Sequence, residues 1–186
     1  MRKTSAWRGA AAGLAGGVAA TLVMTGFQAA WSAVNQKMSN GHRSNGSGQS
    51  EASPSSETKA DSQTDNQNPT VKVAQKIVKV AGQDLSPESS ETAGQAVHYG
   101  FGTLMGGVYG TALELAPRRY RRNPVRSGLM MGSALFVAAD EIALPALQLT
   151  AGPTKVPPSS HVFGLVSHLV YGVTAGLVTR AVRNLI

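Results

Sequence analysis

Five ionisable side chains interrupt otherwise apolar runs of this sequence: His98, Glu114, Asp140, Glu141 and His168. A sixth, His161, stands at the start of such a run. Histidine beside a carboxylate can exchange protons near neutral pH, or can ligate a divalent cation. Three kinds of chemistry therefore compete for His98, Asp140, Glu141 and His168. They could form a buried polar network that holds helices in register. They could form a proton-sensitive or proton-conducting site. Or His98, Asp140 and His168 could serve a metal or catalytic centre. The third reading has no motif behind it, because no HExxH pair, nucleophile elbow, phosphate loop or dinucleotide fingerprint is present. "GFGTLMG" (100–106) looks like a glycine-rich nucleotide loop but lies inside an apolar run. The chain has no cysteine, which removes disulfides and thiolate metal sites. The sequence assigns neither cofactor nor metal.

The elements that must hold these residues are apolar segments. Four stretches reach the ~20 residues that a bilayer crossing needs. They run from 9 to 34, from about 93 to 116, from about 127 to 149 and from about 161 to 181. Trp7 and Trp31 bracket the first in the manner of interfacial tryptophans. That run follows Arg2, Lys3 and Arg8, but it is too long for the apolar core of a signal peptide, and Trp31 interrupts the small-residue site a peptidase would need. It is expected to stay as an uncleaved span. The expected organisation is a cytoplasmic N-terminus and first span (1–35), a disordered polar outer loop (36–70), a short amphipathic helix and linker (71–92), and a three-helix membrane part (93–186). In the amphipathic stretch Val73, Ala74, Ile77, Val78 and Ala81 share one face and Lys72, Lys76 and Lys79 the other. Such a helix fits a membrane surface, or packing on the ends of the spans.

The net charge of +7 is compatible with nucleic acid, but the placement of the charges argues for a membrane. Arg118, Arg119, Arg121, Arg122 and Arg126 crowd the short connection between the second and third spans. Dense basic residues in short loops stay on the cytoplasmic side. With Arg2, Lys3 and Arg8 before the first span and Arg180 and Arg183 at the other end, four spans satisfy this rule with both termini inside. The expected partner is the lipid bilayer and not nucleic acid. The expected fold class is all-α, a bundle of four glycine-rich transmembrane helices with cytoplasmic termini.

Glycine accounts for 21 of the 186 residues, and many recur four apart. The rows are Gly9, Gly13, Gly17; Gly102, Gly106, Gly110; Gly128, Gly132; and Gly164, Gly172, Gly176, with His168 filling the gap. In water each such glycine costs a helix about 1 kcal/mol relative to alanine. In a bilayer, small residues on one helix face let backbones approach closely, which is how membrane helices associate. These rows are expected to pack the bundle and make self-association into a homo-oligomer a candidate.

Depth brings the ionisable residues back together. At ~1.5 Å per residue, His98 and His168 fall roughly 8 and 10 Å below the outer boundary, and Asp140 about 10 Å below it from the opposite direction. Three spans thus place His98, Asp140, Glu141 and His168 at similar depth, as an outer-half cluster. Pro145 lacks the N–H that would bond the Glu141 carbonyl and should kink the third span there. Glu114 falls near the inner boundary, four residues before Arg118, and an i, i+4 ion pair between them is expected.

Three segments carry a family resemblance: "AGQAVHYGFGTLMGGVYGTALELAP", "GLMMGSALFVAADEIALPALQLT" and "SSHVFGLVSHLVYGVTAGLVTRAVRNLI". With the "GLAGG" of the first span, they resemble the YagU-like inner-membrane proteins of bacteria, a family defined by a domain of unknown function. His168 and Arg183 stand at matching places, whereas the Ser-rich stretch 36–70 departs from the pattern. The resemblance implies an integral inner-membrane protein, and one member of the family is linked to acid resistance. Residues and resemblance together lead to a non-enzymatic envelope protein that supports acid tolerance through its outer-half cluster. The alternatives are a small proton or ion transporter or channel assembled as an oligomer, its substrate unknown, and a membrane enzyme with a His/Asp site.

Overall fold

The computed structural model describes residues 5–43, 69–80, 82 and 84–186. Among them the only regular secondary structure is helical. Helix α1 covers Ala6–Arg43, α2 Pro69–Val80, α3 Pro87–Leu115 and the short α4 Arg118–Arg122. Helix α5 covers Pro124–Ala146, and α6 covers Pro158–Leu185 after a 3-10 turn at Pro153–Lys155. Most of the stretch expected as a disordered loop lies outside the described residues. Its first part does not behave as expected, because α1 continues to Arg43, well past the end of the apolar run.

Helix starts follow from local chemistry. Ser86 caps α3 by accepting the Ser89 N–H, with Pro87 and Glu88 in the first turn, where a fixed φ and a negative charge suit a helix N-terminus. Asn123 caps α5 in the same way, accepting the Arg126 N–H at 3.0 Å, and Pro124 follows it. Helix α6 begins behind Pro157 and Pro158.

The four long helices run alternately up and down. Gly9, Gly13 and Gly17 of α1 stand opposite Gly110, Gly106 and Gly102 of α3. A Cβ on Gly17 would come within 2.7 Å of the Gly102 carbonyl oxygen, and one on Gly9 within 2.6 Å of the Gly110 oxygen. Helices α5 and α6 repeat the arrangement. Gly128 meets Gly172, Gly132 meets the His168 carbonyl, and Gly176 meets the Pro124 carbonyl. Gly164 lies under the Phe136 ring and the Asp140 carboxylate. Helix α6 also lies along α1, where Gly16 faces Thr179 and Ala175. Two tyrosines tie the helices across: Tyr171 donates to the Gly102 carbonyl at 2.5 Å, and the Tyr109 and Ser127 hydroxyls are 2.8 Å apart.

The interior is therefore made of small residues, with Ala12, Ala20 and Ala175 fully buried, while large apolar side chains point outward. Leu22, Leu104, Val108, Met130 and Ile142 are each about half exposed or more. Soluble proteins rarely leave so much contiguous apolar surface, whereas lipid solvates it. Helices α1, α5 and α6 are each long and apolar enough to cross a membrane. Helix α3 is as long as α6, but its glycines, its polar first turns and Glu114 dilute its apolar character.

Pro145 does not act as expected. The helix does not simply kink; it widens into a π-helical segment over Phe136–Ala143 just before the proline. The Leu144 N–H reaches back five residues to the Ala139 carbonyl. Proline removes one bond and its ring crowds the preceding turn, and a π segment relieves that crowding with other bonds intact. The helix then ends at Gln148, a non-glycine residue at φ 57°, whose N–H returns to the Pro145 carbonyl.

Helix α2 lies against α3 through Val71 on Gly94, buried Ala74, and a 3.2 Å Gln75–Ser90 hydrogen bond. Of the two settings expected for it, packing on the bundle is observed. Its seated face is shifted from the one read in sequence: Ile77 is 59% exposed, and Ala81 lies outside the described residues.

Candidate functional site

The polar residues within the long helices gather at two ends. One end carries Ser5, Glu114 and Arg183; the other carries His98, Asp140, Glu141, His161 and His168.

At the first end Glu114, on the last turn of α3, is buried, with 2% of its surface exposed. Its carboxylate accepts a two-pronged bond from Arg183 of α6, at 2.6 Å from Nε and 2.8 Å from Nη2. Arg121 of α4 approaches to 3.8 Å, and the Ser5 backbone N–H donates at 3.3 Å. The expected Glu114–Arg118 pair is not formed. Arg118 starts a separate short helix after the break at Ala116 and Pro117, so the two residues share no helical face. Arg183, adjacent in space and distant in sequence, takes the carboxylate instead. Nearby, Arg180 donates to the Arg122 carbonyl at 3.0 Å.

At the other end the expected four-residue cluster divides. Asp140 and Glu141 are consecutive, so on a helix their side chains leave in directions about 100° apart. Asp140 turns toward α6, with Oδ2 3.6 Å from His168 Nδ1. That nitrogen is also 2.9 Å from the Gly164 carbonyl oxygen, so as an N–H it donates there and faces the carboxylate too. The Phe136 ring, 6.0 Å away between centroids, covers the imidazole. His98 of α3 places Nε2 3.4 Å from the Thr25 hydroxyl of α1 and lies within electrostatic reach of His168.

Glu141 turns to the mouth of the bundle. Its Oε1 is 2.6 Å from His161 Nδ1, and His161 Nε2 is 3.0 Å from the Pro153 carbonyl. His161 therefore latches the start of α6 to the π segment of α5 and to the loop between them. Sequence reading left His161 outside the cluster because it lies at a span boundary, although its separation from Glu141 across one short loop was the signal available. Three aromatic rings close the same mouth: Phe27 and Trp31 of α1 pack on Phe163 of α6, with centroids 5.7–6.4 Å apart.

Among the described residues no three His, Asp or Glu side chains converge as a metal ion would require. The His98–Asp140–His168 set is an ion-pair partner and a facing imidazole, not a ligand shell. Of the topology arginines, Arg121 joins Glu114, while Arg119 and Arg126 line a hollow beside the α5 N-terminus. Comparison with known protein families, with curated proteins and with solved structures finds no match to this chain.

Proposed function

We propose that this chain is a four-span, non-enzymatic protein of the bacterial inner membrane, related to the YagU-like family, with both termini cytoplasmic. Its outer-half group His98, Asp140 and His168 responds to external acid and so contributes to acid tolerance. The observation that supports this reading is the 3.6 Å approach of His168 to Asp140 between α5 and α6, with His98 of α3 within electrostatic reach of His168.

The charge arithmetic gives the response its direction. With both imidazoles neutral, the group holds no positive charge to set against the Asp140 carboxyl. Imidazole is the side chain whose charge mild acid changes. His168 then attracts Asp140, while His98 and His168 repel each other. Helix α3 is pushed away from α6 as α5 is drawn toward it. Glu141 and His161 at the mouth form a stronger pair on protonation, and Thr25 of α1, whose hydroxyl donates to the Thr21 carbonyl, remains an acceptor for His98.

Trp31 sits at this mouth and serves as the reporter. In liposomes, lowering the external pH from 7.5 to 5 is expected to shift Trp31 fluorescence in a Trp7→Phe background. Asp140→Asn and His168→Gln are expected to abolish the shift and, in cells, to reduce survival in acid. An unchanged acid response in both variants would sink the proposal. Proton flux measured in the same liposomes separates this reading from that of an oligomeric channel.

A further inference from the structure

The connection between α3 and α5 and the first turn of α5 together hold five arginines, and the structure separates them by occupation. Arg121 is held at Glu114, and Arg122 supplies its carbonyl to Arg180. Arg119 and Arg126, with Tyr120, Asn123 and Ser127, line a hollow of about 230 Å³ beside the first turn of α5. No acidic residue lines it. Glu114 is the only acid between Glu91 and Asp140, and none follows Glu141. Glu114 is itself buried under Arg183. Among the described residues the two guanidinium groups therefore meet no carboxylate at this hollow, and an anion from outside would complete it.

The hollow has the parts that an oxyanion would use. Arg119 is steadied over the Tyr120 ring at 5.1 Å. Asn123 gives its carbonyl oxygen to the Arg126 N–H, which leaves its amide N–H groups to donate. The Ser127 hydroxyl is engaged with Tyr109 and closes the floor. Guanidinium forks match the spacing of phosphate oxygens and can pair with them through two parallel hydrogen bonds. The volume suits a glycerophosphate group and is far too small for a macromolecule. From its rim, Val125, Leu129 and Met130 run along the outside of α5, each 39–52% exposed. That apolar track would accept an acyl chain attached to the bound phosphate.

We infer that this hollow is a binding site for the phosphodiester headgroup of an anionic phospholipid, with Arg119 and Arg126 as its charged ligands and the outer face of α5 as its acyl track. The inference rests on the reading that α5 crosses the membrane. It does not depend on the acid response at the opposite end.

The test uses the full chain purified in mild detergent and reconstituted into phosphatidylcholine nanodiscs doped with phosphatidylglycerol. Retained lipid is counted by native mass spectrometry. Wild type should retain phosphatidylglycerol in preference to phosphatidylcholine. Arg119→Gln with Arg126→Gln should weaken that retention about tenfold or more, since each juxtamembrane arginine favours anionic lipid substantially. Arg118→Gln with Arg122→Gln removes the same charge outside the hollow and should change retention less than about twofold, if the effect is local and not a general field. Circular dichroism of each variant checks that the helices persist, and Arg126→Lys keeps the charge but loses the fork, giving an intermediate loss. Equal loss in both pairs, or loss in neither, overturns the proposal. So does displacement of the lipid by millimolar inorganic phosphate or glycerol phosphate, which would mark a site for free anions. If α5 does not cross a membrane, the protein fails to float with vesicles, an outcome distinct from lost headgroup preference in an inserted protein.

Discussion

The two ends of the bundle hold similar residue types and treat them in opposite ways. At the α3 C-terminus one carboxylate has three partners: a forked arginine from α6, a second arginine from α4, and a backbone N–H from the start of α1. At the far end one carboxylate, Asp140, faces an imidazole at 3.6 Å, and that imidazole already has a backbone carbonyl to bond. The first arrangement stays charged across the physiological pH range, because arginine does not give up its proton. The second changes charge when histidine does. Completeness of partnering, more than the presence of a charge within an apolar helix, separates a residue that ties helices together from one that is able to respond.

The largest break in this contrast should come from Glu114→Gln. It leaves Arg183 without its counter-charge in a partly buried position, and losing one member of such a pair costs about 3 kcal/mol. Unfolding in a mixed-micelle denaturant series, followed by helix content, measures this. A loss below about 1 kcal/mol would mean that Glu114 and Arg183 form a solvated surface pair. Next comes Gly106→Ala. Its methyl would overlap the Gly13 carbonyl and lie 2.6 Å from Gly17 N. Forcing these backbones apart should cost about 1–3 kcal/mol. Gly100→Ala is the matched control, since nothing lies within 4 Å of its added carbon. It should be neutral, or stabilising by about 0.5–1 kcal/mol through helix propensity. If both alanines behave alike, the close approach of α1 and α3 contributes nothing.

Smaller effects belong to the His168 end. His168→Gln should lower stability at neutral pH by about 1 kcal/mol, the usual worth of a hydrogen bond, while removing the acid-induced Trp31 shift. That pairing of a small stability change with a large functional one is what distinguishes this end from the Glu114 end. His161→Ala should be the mildest, because the Glu141 pair lies partly open to solvent. Its signature is kinetic. Amide exchange at Thr154, Lys155 and Val156 should speed up as the latch is lost, and an unaltered rate would leave the loop held by something else.

Much of the architecture can be read from periodicity. An all-helical chain follows from long apolar runs, and Gly9, Gly13, Gly17 and their counterparts lie four apart because each must return to the same helix face. Helix α3 was the hard case. Glycine, tyrosine and threonine suit it to the interior of a helix packing and make it look less apolar than its neighbours. Pairings across helices were not legible. The Glu114–Arg183 fork joins residues with no local signal, and the local rule favoured Arg118, whose chain breaks away at Pro117. Depth estimates brought Asp140 and Glu141 to one level but carry no rotation, so they could not say that only Asp140 turns toward His168. The π-helical segment was equally hidden, because Pro145 announces a disturbance without giving its form.

That segment has a consequence for how the protein tolerates change in length. A π turn holds one residue more than the α-helical path it replaces, so the two halves of α5 are set at independent rotations. The half from Pro124 to Leu135 is locked to α6 by Gly128 and Gly132, whereas the half beyond Ala143 answers only to the loop and to α2, through Lys76 on the Leu147 carbonyl. Removing one residue between Phe136 and Ala143 should therefore restore an unbroken α-helix without disturbing the glycine contacts. The helix would survive such a deletion, while the aim of its carboxylates would not.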